Sequence, residues 1–361
     1  MYLGGVLKLL NKPVRILAID VGGGTQDILL YENNKPIENC FKLVLPSQTV
    51  IVGKRIEKAT NKNKDIFLHG HIMGGGKCVS AIKNHIKQGL KIYATSHASK
   101  TIRDSLAEVQ KLGVEIVEKK PKNTISIELK DIDLKVLQKV LASFEIKIPD
   151  KFAIAVFDHG EDTKGSNRRF RFKLWQDFII EQGGLLKDLV YCKVPDPFTR
   201  MKSVQDLLKD AILMQTGTAA ICGSLCDPRV AKEISKGLVI VNIGNQHTLA
   251  VLVQNERIWG LFEHHTSMLT PKKLKRFVQS LQNKSLKNEE IFDDMGHGSI
   301  INPACPKNIK FDFITVVGPH RQIAEDSDCY FATPYGDMML TGCFGLVAGA
   351  KKLYGEKLIF N

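Results

Sequence analysis

The chain has 361 residues, of which 43% are hydrophobic and 25% charged, and its 51 Lys and Arg against 38 Asp and Glu give a formal net charge of +13. This length exceeds the size at which a single core usually stops growing, so two lobes are expected, and the ordinary apolar content excludes a disordered chain. The lysines are scattered rather than massed in a tail, no apolar run is of membrane-spanning length, and the eight cysteines lie far apart. A soluble, cytoplasmic protein with reduced thiols is therefore expected, not a membrane or disulfide-stapled one.

The opening MYLGGVLKLLNKPVR is too short in its apolar part to span a membrane and lacks a cleavage site, so no leader is expected. Residues 15–37, RILAIDVGGGTQDILLYENNKPI, then read as an apolar strand, a glycine-rich acidic turn and a second strand. Asp20, Gly22, Gly23, Gly24, Thr25 and Asp27 sit in or beside that turn, where residues without side chains let backbone N–H groups approach an anion. The Rossmann fingerprint and the P-loop are excluded, because both aim a helix N-terminus at phosphate and no helical period follows Asp27. FKLVLPS supplies a third strand.

Farther on, HGHIMGGGKCVSAIKNHIKQG places Gly74 to Gly76 before a helix predicted over 77–88, which makes either a ligand or partner loop or a tight strand-to-helix turn. The next stretch, through VEIVEKK, alternates strand, helix and strand, the pattern of an α/β layer. Residues 121–150 read as strand, helix and strand in a small insertion. KFAIAVFDHG puts Asp158 at the carboxyl end of a buried strand, where open α/β sheets carry their chemistry, although an Asp there also caps turns.

In 166–175, Arg168, Arg169, Arg171 and Lys173 interleave with Phe170, Phe172 and Trp175. A strand with one apolar and one solvated face is expected there, and a nucleic-acid surface is not. Residues 201–225 read as largely helical. TGTAAICGS within them is rich in small residues that allow backbone to pack on backbone, and Cys222 and Cys226 read as buried structural thiols.

An internal repeat organises the chain. Residues 237–259, GLVIVNIGNQHTLAVLVQNERIW, restate the opening hairpin without a gap, Asn242 falling on Asp20 and Gly244 on Gly22, an offset of 242 − 20 = 222 residues. IWGLFEHH follows as the third strand of this second copy. Two related lobes with facing glycine loops are the implication.

DVGGGTQD at 20–27, the degenerate copy VNIGNQHT, and FITVVGPHR with Gly318 and Pro319 resemble the two phosphate hairpins and the adenosine segment of the actin, sugar-kinase and heat-shock-chaperone ATPase superfamily. The resemblance implies an α/β fold of two ribonuclease-H-like lobes facing across a nucleotide cleft, over 1–235 and 236–361. A last helix at 336–355 would cross between the lobes, with Thr216 to Ser224 as its counterpart. Within the superfamily, DVGGGTQDILLY, HIMGGGK, NIGNQHTLA, FEHHT and DDMGHG look like an uncharacterised, largely archaeal family that carries a pyruvate formate-lyase-activating label. That label's radical chemistry needs CxxxCxxC, which does not occur here.

The superfamily pattern implies ATP and magnesium as cofactors. Asp20 and Asp27 would serve the metal. Gly22, Gly23, Gly24, Thr25, Gly244, Asn245, Gln246, His247 and Thr248 would hold the phosphates, and Gly318 and Pro319 the adenosine. The implied function is hydrolysis of ATP or transfer of its γ-phosphate, in one version to activate a partner enzyme. The alternatives are a small-molecule kinase with Asp158 as base, Glu263 being a second candidate, and a non-catalytic interaction or metal-binding module. Partners would be a nucleotide and either a protein or a small second substrate, with no nucleic acid and no membrane. Glu263, His264, His265, Asp293, Asp294 and His297, with His320 later, form a candidate metal group. Adjacent residues of a strand face opposite sides, so only one of His264 and His265 can join it.

Overall fold

The computed structural model describes residues 13–162 and 165–353. The N-terminal apolar stretch and the final two residues of the helix expected at 336–355 lie outside them. Three sheets organise the fold. The first is built on β1 (Arg15–Val21) and β2 (Thr25–Glu32), the antiparallel hairpin read from the sequence, and adds β3 (Phe41–Pro46) on one side. After β3 the chain leaves this sheet through helix α1 (Gln48–Thr60) and builds a parallel four-stranded sheet. Its strands are β4 (Ile66–Gly70), β5 (Ile92–Ala94), β6 (Val114–Ile116) and β7 (Ile125–Leu129), with helices α2 (Gly76–Lys87) and α3 (Leu134–Ala142) in the same stretch. The segment expected as an insertion at 121–150 therefore supplies one edge strand and one helix to a larger subdomain that already begins near residue 48, and no strand follows α3 before residue 151.

Next, β8 (Lys151–Val156) returns to the first sheet parallel to β1. Helix α4 (Asn167–Gln176), helix α5 (Thr199–Leu207), strand β9 (Ile212–Met214) and helix α6 (Thr216–Ser224) complete this half. Two sequence expectations are corrected here. Residues 166–175 are a helix, not a strand: Arg171, Phe172 and Trp175 are buried at one-, three- and four-residue intervals, which a helix gathers on one face and a strand would split. Residues 201–225 are interrupted by β9, whose three residues are all buried and too few to show a period in the sequence.

The second sheet repeats the plan with β10 (Leu238–Ile243), β11 (His247–Gln254), β12 (Arg257–His265), helix α7 (Pro271–Gln282), β13 (Gly298–Ile301), β14 (Phe313–Val317), β15 (Tyr330–Phe331) and helix α8 (Thr341–Leu353). The first sheet runs β3-β2-β1-β8-β9 and the second β13-β12-β11-β10-β14-β15, so apart from the extra edge strand β13 the order is the same. In each, an antiparallel hairpin lies beside parallel strands. The 222-residue repeat implies two related α/β halves, and the matching strand orders bear that out.

The halves are joined by α6 and α8, which lie against each other between the sheets. Ala220 and Ile221 of α6 belong to the core of the second sheet, whereas Phe344, Leu346 and Val347 of α8 belong to the core of the first. Glycine makes the crossing possible: a Cβ on Gly223 would stand 1.8 Å from the Thr341 carbonyl oxygen, and one on Gly345 1.9 Å from that of Ala219. The small residues read in TGTAAICGS have this packing as their purpose.

Candidate functional site

One cavity of about 320 Å³ opens between the halves, and the glycine segments converge on it. The two hairpin turns are built alike. Gly22 N–H donates to Thr25 O at 2.8 Å, and 222 residues later Gly244 N–H donates to His247 O at 3.0 Å. The tips meet reciprocally: a Cβ on Gly23 would lie 2.6 Å from Cδ of Gln246, and one on Gly24 3.2 Å from the Asn245 amide nitrogen. The third loop, at Gly74 to Gly76, joins them, since a Cβ on Gly76 would lie 3.1 Å from Gln246 Nε2.

That third loop is held on both sides. Thr49 Oγ1 donates to Gly75 O at 2.8 Å and accepts from Cys78 N–H, while Gly74 N–H donates to Asp131 Oδ1. Arg200 binds the Asp131 carboxylate through Nε and Nη2 at 2.7 and 2.8 Å and donates to Phe157 O. This ties the glycine loop to the end of the β8 strand.

Asp20 on β1 and Asp27 on β2 are direct cross-strand partners, so their carboxyls lie on one face of the hairpin. Burial, and then the charge of Asp27, push the Asp20 carboxyl well above the usual carboxylate range. Burial brings Asp27 up to about 7, Asp337 adding to the rise and a hydrogen bond from Thr25 opposing it. Asp20 Oδ1 and Asp27 Oδ1 are buried without hydrogen-bond partners. Gly342 of α8 is required there, because its Cβ would stand 1.9 Å from Asp20 Oδ2. Two crowded carboxyls with orphaned oxygens are a donor set that fits a hard divalent cation. The second hairpin carries Asn242 opposite Leu249 at the equivalent register, so it has no such pair.

Asp158 and Glu263 line the same cavity but are occupied. Asp158 Oδ1 accepts from Gly160 N–H and Oδ2 from Met201 N–H, both at 2.9 Å. Burial raises its pKa despite those bonds. Its geometry is that of the turn-capping alternative. Glu263 is clasped by Arg171 Nε and Nη2 at 2.9 and 3.0 Å. Burial alone would raise its carboxyl, but the Arg171 charge prevails and holds it at about 2. Thr248 does not face the cavity, contrary to expectation: it is fully buried, its hydroxyl 3.0 Å from that of Thr266, which in turn donates to Gly244 O. Gly318 ends β14 beside the cavity at φ 104°, and a Cβ there would lie 2.4 Å from Ile243 O; Pro319 follows it.

The histidines divide as strand alternation requires. His264 turns to one side, with Nε2 3.2 Å from Asp294 Oδ2, and Lys273 binds the same carboxylate at 2.7 Å. His265 turns to the other, where its ring centroid lies 5.0 Å from that of His247 and 4.9 Å from that of His297. His247, expected as a phosphate donor, stacks on Phe157 at 4.1 Å and 5°. Burial lowers its pKa to about 3 and that of His297 to about 4, so both rings are neutral at pH 7. Asp293 and His320 are exposed and stand outside this group. Its membership was half legible: the histidine run in FEHH was visible in the sequence, but His247 joins only through β-sheet register.

The Arg-rich segment makes contacts within the chain, although Arg169 and Lys173 remain exposed. Arg168 and Arg169 lie 4.2 and 5.4 Å from the ring centroid of Phe292, and Arg171 is buried on Glu263. Among the described residues no helix is long and apolar enough to cross a membrane.

Residues 73–323 match the model of the family described as "Putative pyruvate format-lyase activating enzyme (DUF1786)". This chain belongs to that family. It has no match among curated proteins. Among solved structures it is similar to the apo psk41 ParM protein, at 11% identity and a TM-score of 0.34 over 96% of this chain and 99% of that one. It is also similar to a ROK family glucokinase from Streptomyces griseus in complex with glucose and AMPPNP, at 9% identity and a TM-score of 0.35 over 93% and 98%. Against a ROK family transcriptional regulator, a homologue of the E. coli MLC protein, identity is 8% and the TM-score 0.27, and the match covers 68% of this chain but only 37% of the regulator.

Proposed function

We propose that this member of the DUF1786 family binds ATP with magnesium between its two hairpins and hydrolyses it or passes on its γ-phosphate, the turnover serving to activate a partner enzyme. The observation that carries the reading is the pairing of Asp20 and Asp27, with orphaned buried oxygens, at the root of one of two equivalent glycine hairpins that face a single cavity. In this reading Gly22 to Thr25 and Gly244 to His247, the latter through backbone N–H groups rather than the His247 ring, receive the phosphates, and Gly318 and Pro319 bound the adenosine. Gln246, whose amide fills the space beside Gly23 and Gly76, would have to move aside to admit them.

Asp20 and Asp27 would hold the magnesium, which neutralises charge on the phosphates during transfer. The protein's part is positioning. Arg200 and Thr49 fix the Gly74 to Gly76 loop, and the α6–α8 crossing fixes one hairpin relative to the other. The kinase alternative has weaker support, since both oxygens of Asp158 are held by backbone N–H groups and Glu263 is bound to Arg171. An ATPase that orients water on the phosphate has less need of a carboxylate base.

The family's description points instead to radical activation, for which three cysteines must hold an iron–sulfur cluster. The cysteines of this chain do not fit that group. Among the described residues no three of them converge, and Cys222 and Cys226 are consumed in helix packing, Cys226 Sγ donating to Cys222 O.

The test is a thermal-shift titration with ATP, with and without magnesium, on wild type and Asp20→Ala. Wild type should gain stability from the nucleotide only in the presence of magnesium, and the variant should gain none. Identical responses would refute the assignment.

A further inference from the structure

We propose that His247, His265 and His297 form a binding site for a divalent transition-metal ion of the zinc class, separate from the carboxylate pair on the first hairpin and independent of nucleotide. One ring nitrogen from each of the three lies within 4.8 Å of the other two. Their placement is rigid, because the residues come from the first position of β11, the last of β12 and the residue before β13, which are adjacent strands of one sheet. His247 and His265 are direct cross-strand partners, and His297 is fixed by its N–H donating to Glu263 O at 2.9 Å.

A second observation points to a ligand. His297 is 5% exposed, yet neither of its ring nitrogens has a hydrogen-bond partner. A buried imidazole with both nitrogens idle is costly unless something else binds it. Glu263 Oε2 stands 3.9 Å from His297 Nδ1, in the place where metal-bound histidines have a carboxylate behind them. The buried Arg171 has its charge matched by both oxygens of that same carboxylate, and Arg168 is turned to the carbonyls of Phe292 and Gly296.

The chemistry selects the ion. Three neutral imidazoles suit zinc, iron, copper or nickel rather than magnesium, which prefers oxygen and fits the Asp20 and Asp27 pair. With Zn–N distances of about 2.0–2.1 Å, tetrahedral ligands stand roughly 3.4 Å apart, so from separations within 4.8 Å the rings need close by no more than about 1.4 Å. Three protein ligands leave a position for water or an oxyanion. His247 and Glu263 line the central cavity, so that position faces the space shared by the two hairpins.

The full chain, treated with chelator and desalted, is titrated with Co2+ in the absence of nucleotide. The expected result is one equivalent bound, with visible d–d bands that Zn2+ abolishes. His265→Gln and His247→Gln should each weaken binding by more than the roughly 10-fold minimum that loss of an outer-shell partner costs, whereas His320→Ala and Asp20→Asn should bind like wild type. Thermal unfolding shows whether each variant is folded. X-ray absorption at the metal edge of the wild-type complex needs no variant and should count three imidazoles. The proposal is overturned by a wild type without bands at stoichiometric Co2+, by His265→Gln and His247→Gln that are folded and keep them, by equal loss in His320→Ala, or by fewer than three imidazoles at the metal.

Discussion

Replacing Arg171 by Met removes one half of an ion pair whose side chains are 4% and 3% exposed. The wild-type pair uses two hydrogen bonds, at 2.9 and 3.0 Å, and Arg171 also donates to Asp158 O at 3.1 Å. Without the guanidinium, the Glu263 carboxylate is buried with no countercharge, and the burial that Arg171 now outweighs pushes its pKa upward from about 2. Removal of one partner of such a pair costs about 3–5 kcal/mol, whereas replacement of both by apolar groups is near neutral or stabilising. Arg171→Met should therefore destabilise by about 3–5 kcal/mol, and the double variant with Glu263→Met should recover most of that loss. The assay is chemical denaturation followed by tryptophan fluorescence, for which Trp175 is well placed, 4.9 Å from the Arg171 guanidinium. A single-variant loss below about 1 kcal/mol, or a double variant that loses the sum of the two singles, would show that Arg171 and Glu263 are not energetically coupled in the folded interior.

The α6–α8 crossing gives a second prediction. Gly223→Ala puts a methyl 1.8 Å from a backbone oxygen that has no rotamer to escape into, so the loss should lie at or above the upper end of the roughly 1–3 kcal/mol typical of overpacking, read as a lowered midpoint of thermal unfolding. An unchanged midpoint would mean the helices do not cross there. Acidification gives a third. His85 is fully buried beside Thr60, and burial lowers its pKa below 6.5. The unfolded chain thus binds a proton that the folded chain refuses, so the stability His85 contributes is complete above pH 6.5 and is lost as pH falls, by at most about 1.4 kcal/mol per pH unit. Denaturation midpoints between pH 7.5 and 5.5 should fall, and His85→Gln should flatten the slope; an equal slope in the variant would mean that other groups set the pH dependence.

The amino-acid sequence by itself determined the two hairpins, their 222-residue repeat and the asymmetry between them, because glycine turns between apolar strands and the Asp-to-Asn and Asp-to-Leu exchanges are local facts. It also determined that His264 and His265 must face opposite ways, since the period of a strand is two. It did not determine which of them meets His247. The turn at Asn255 and Glu256, both at positive φ, sets Gln254 against Arg257, and that register continued would set His247 against His264. The bulge at Leu252/Val253, opposite Trp259, shifts the pairing by one residue, so His265 is the partner instead. Likewise, the sequence left Asp158 between a carboxylate at a strand end available for chemistry and a turn cap. Only the folded chain brings the N–H of Met201, 43 residues on, to its second oxygen. Local pattern sets what a residue is able to do, whereas the neighbours that satisfy or strand its polar atoms come from distant segments, and those are chosen by register and packing.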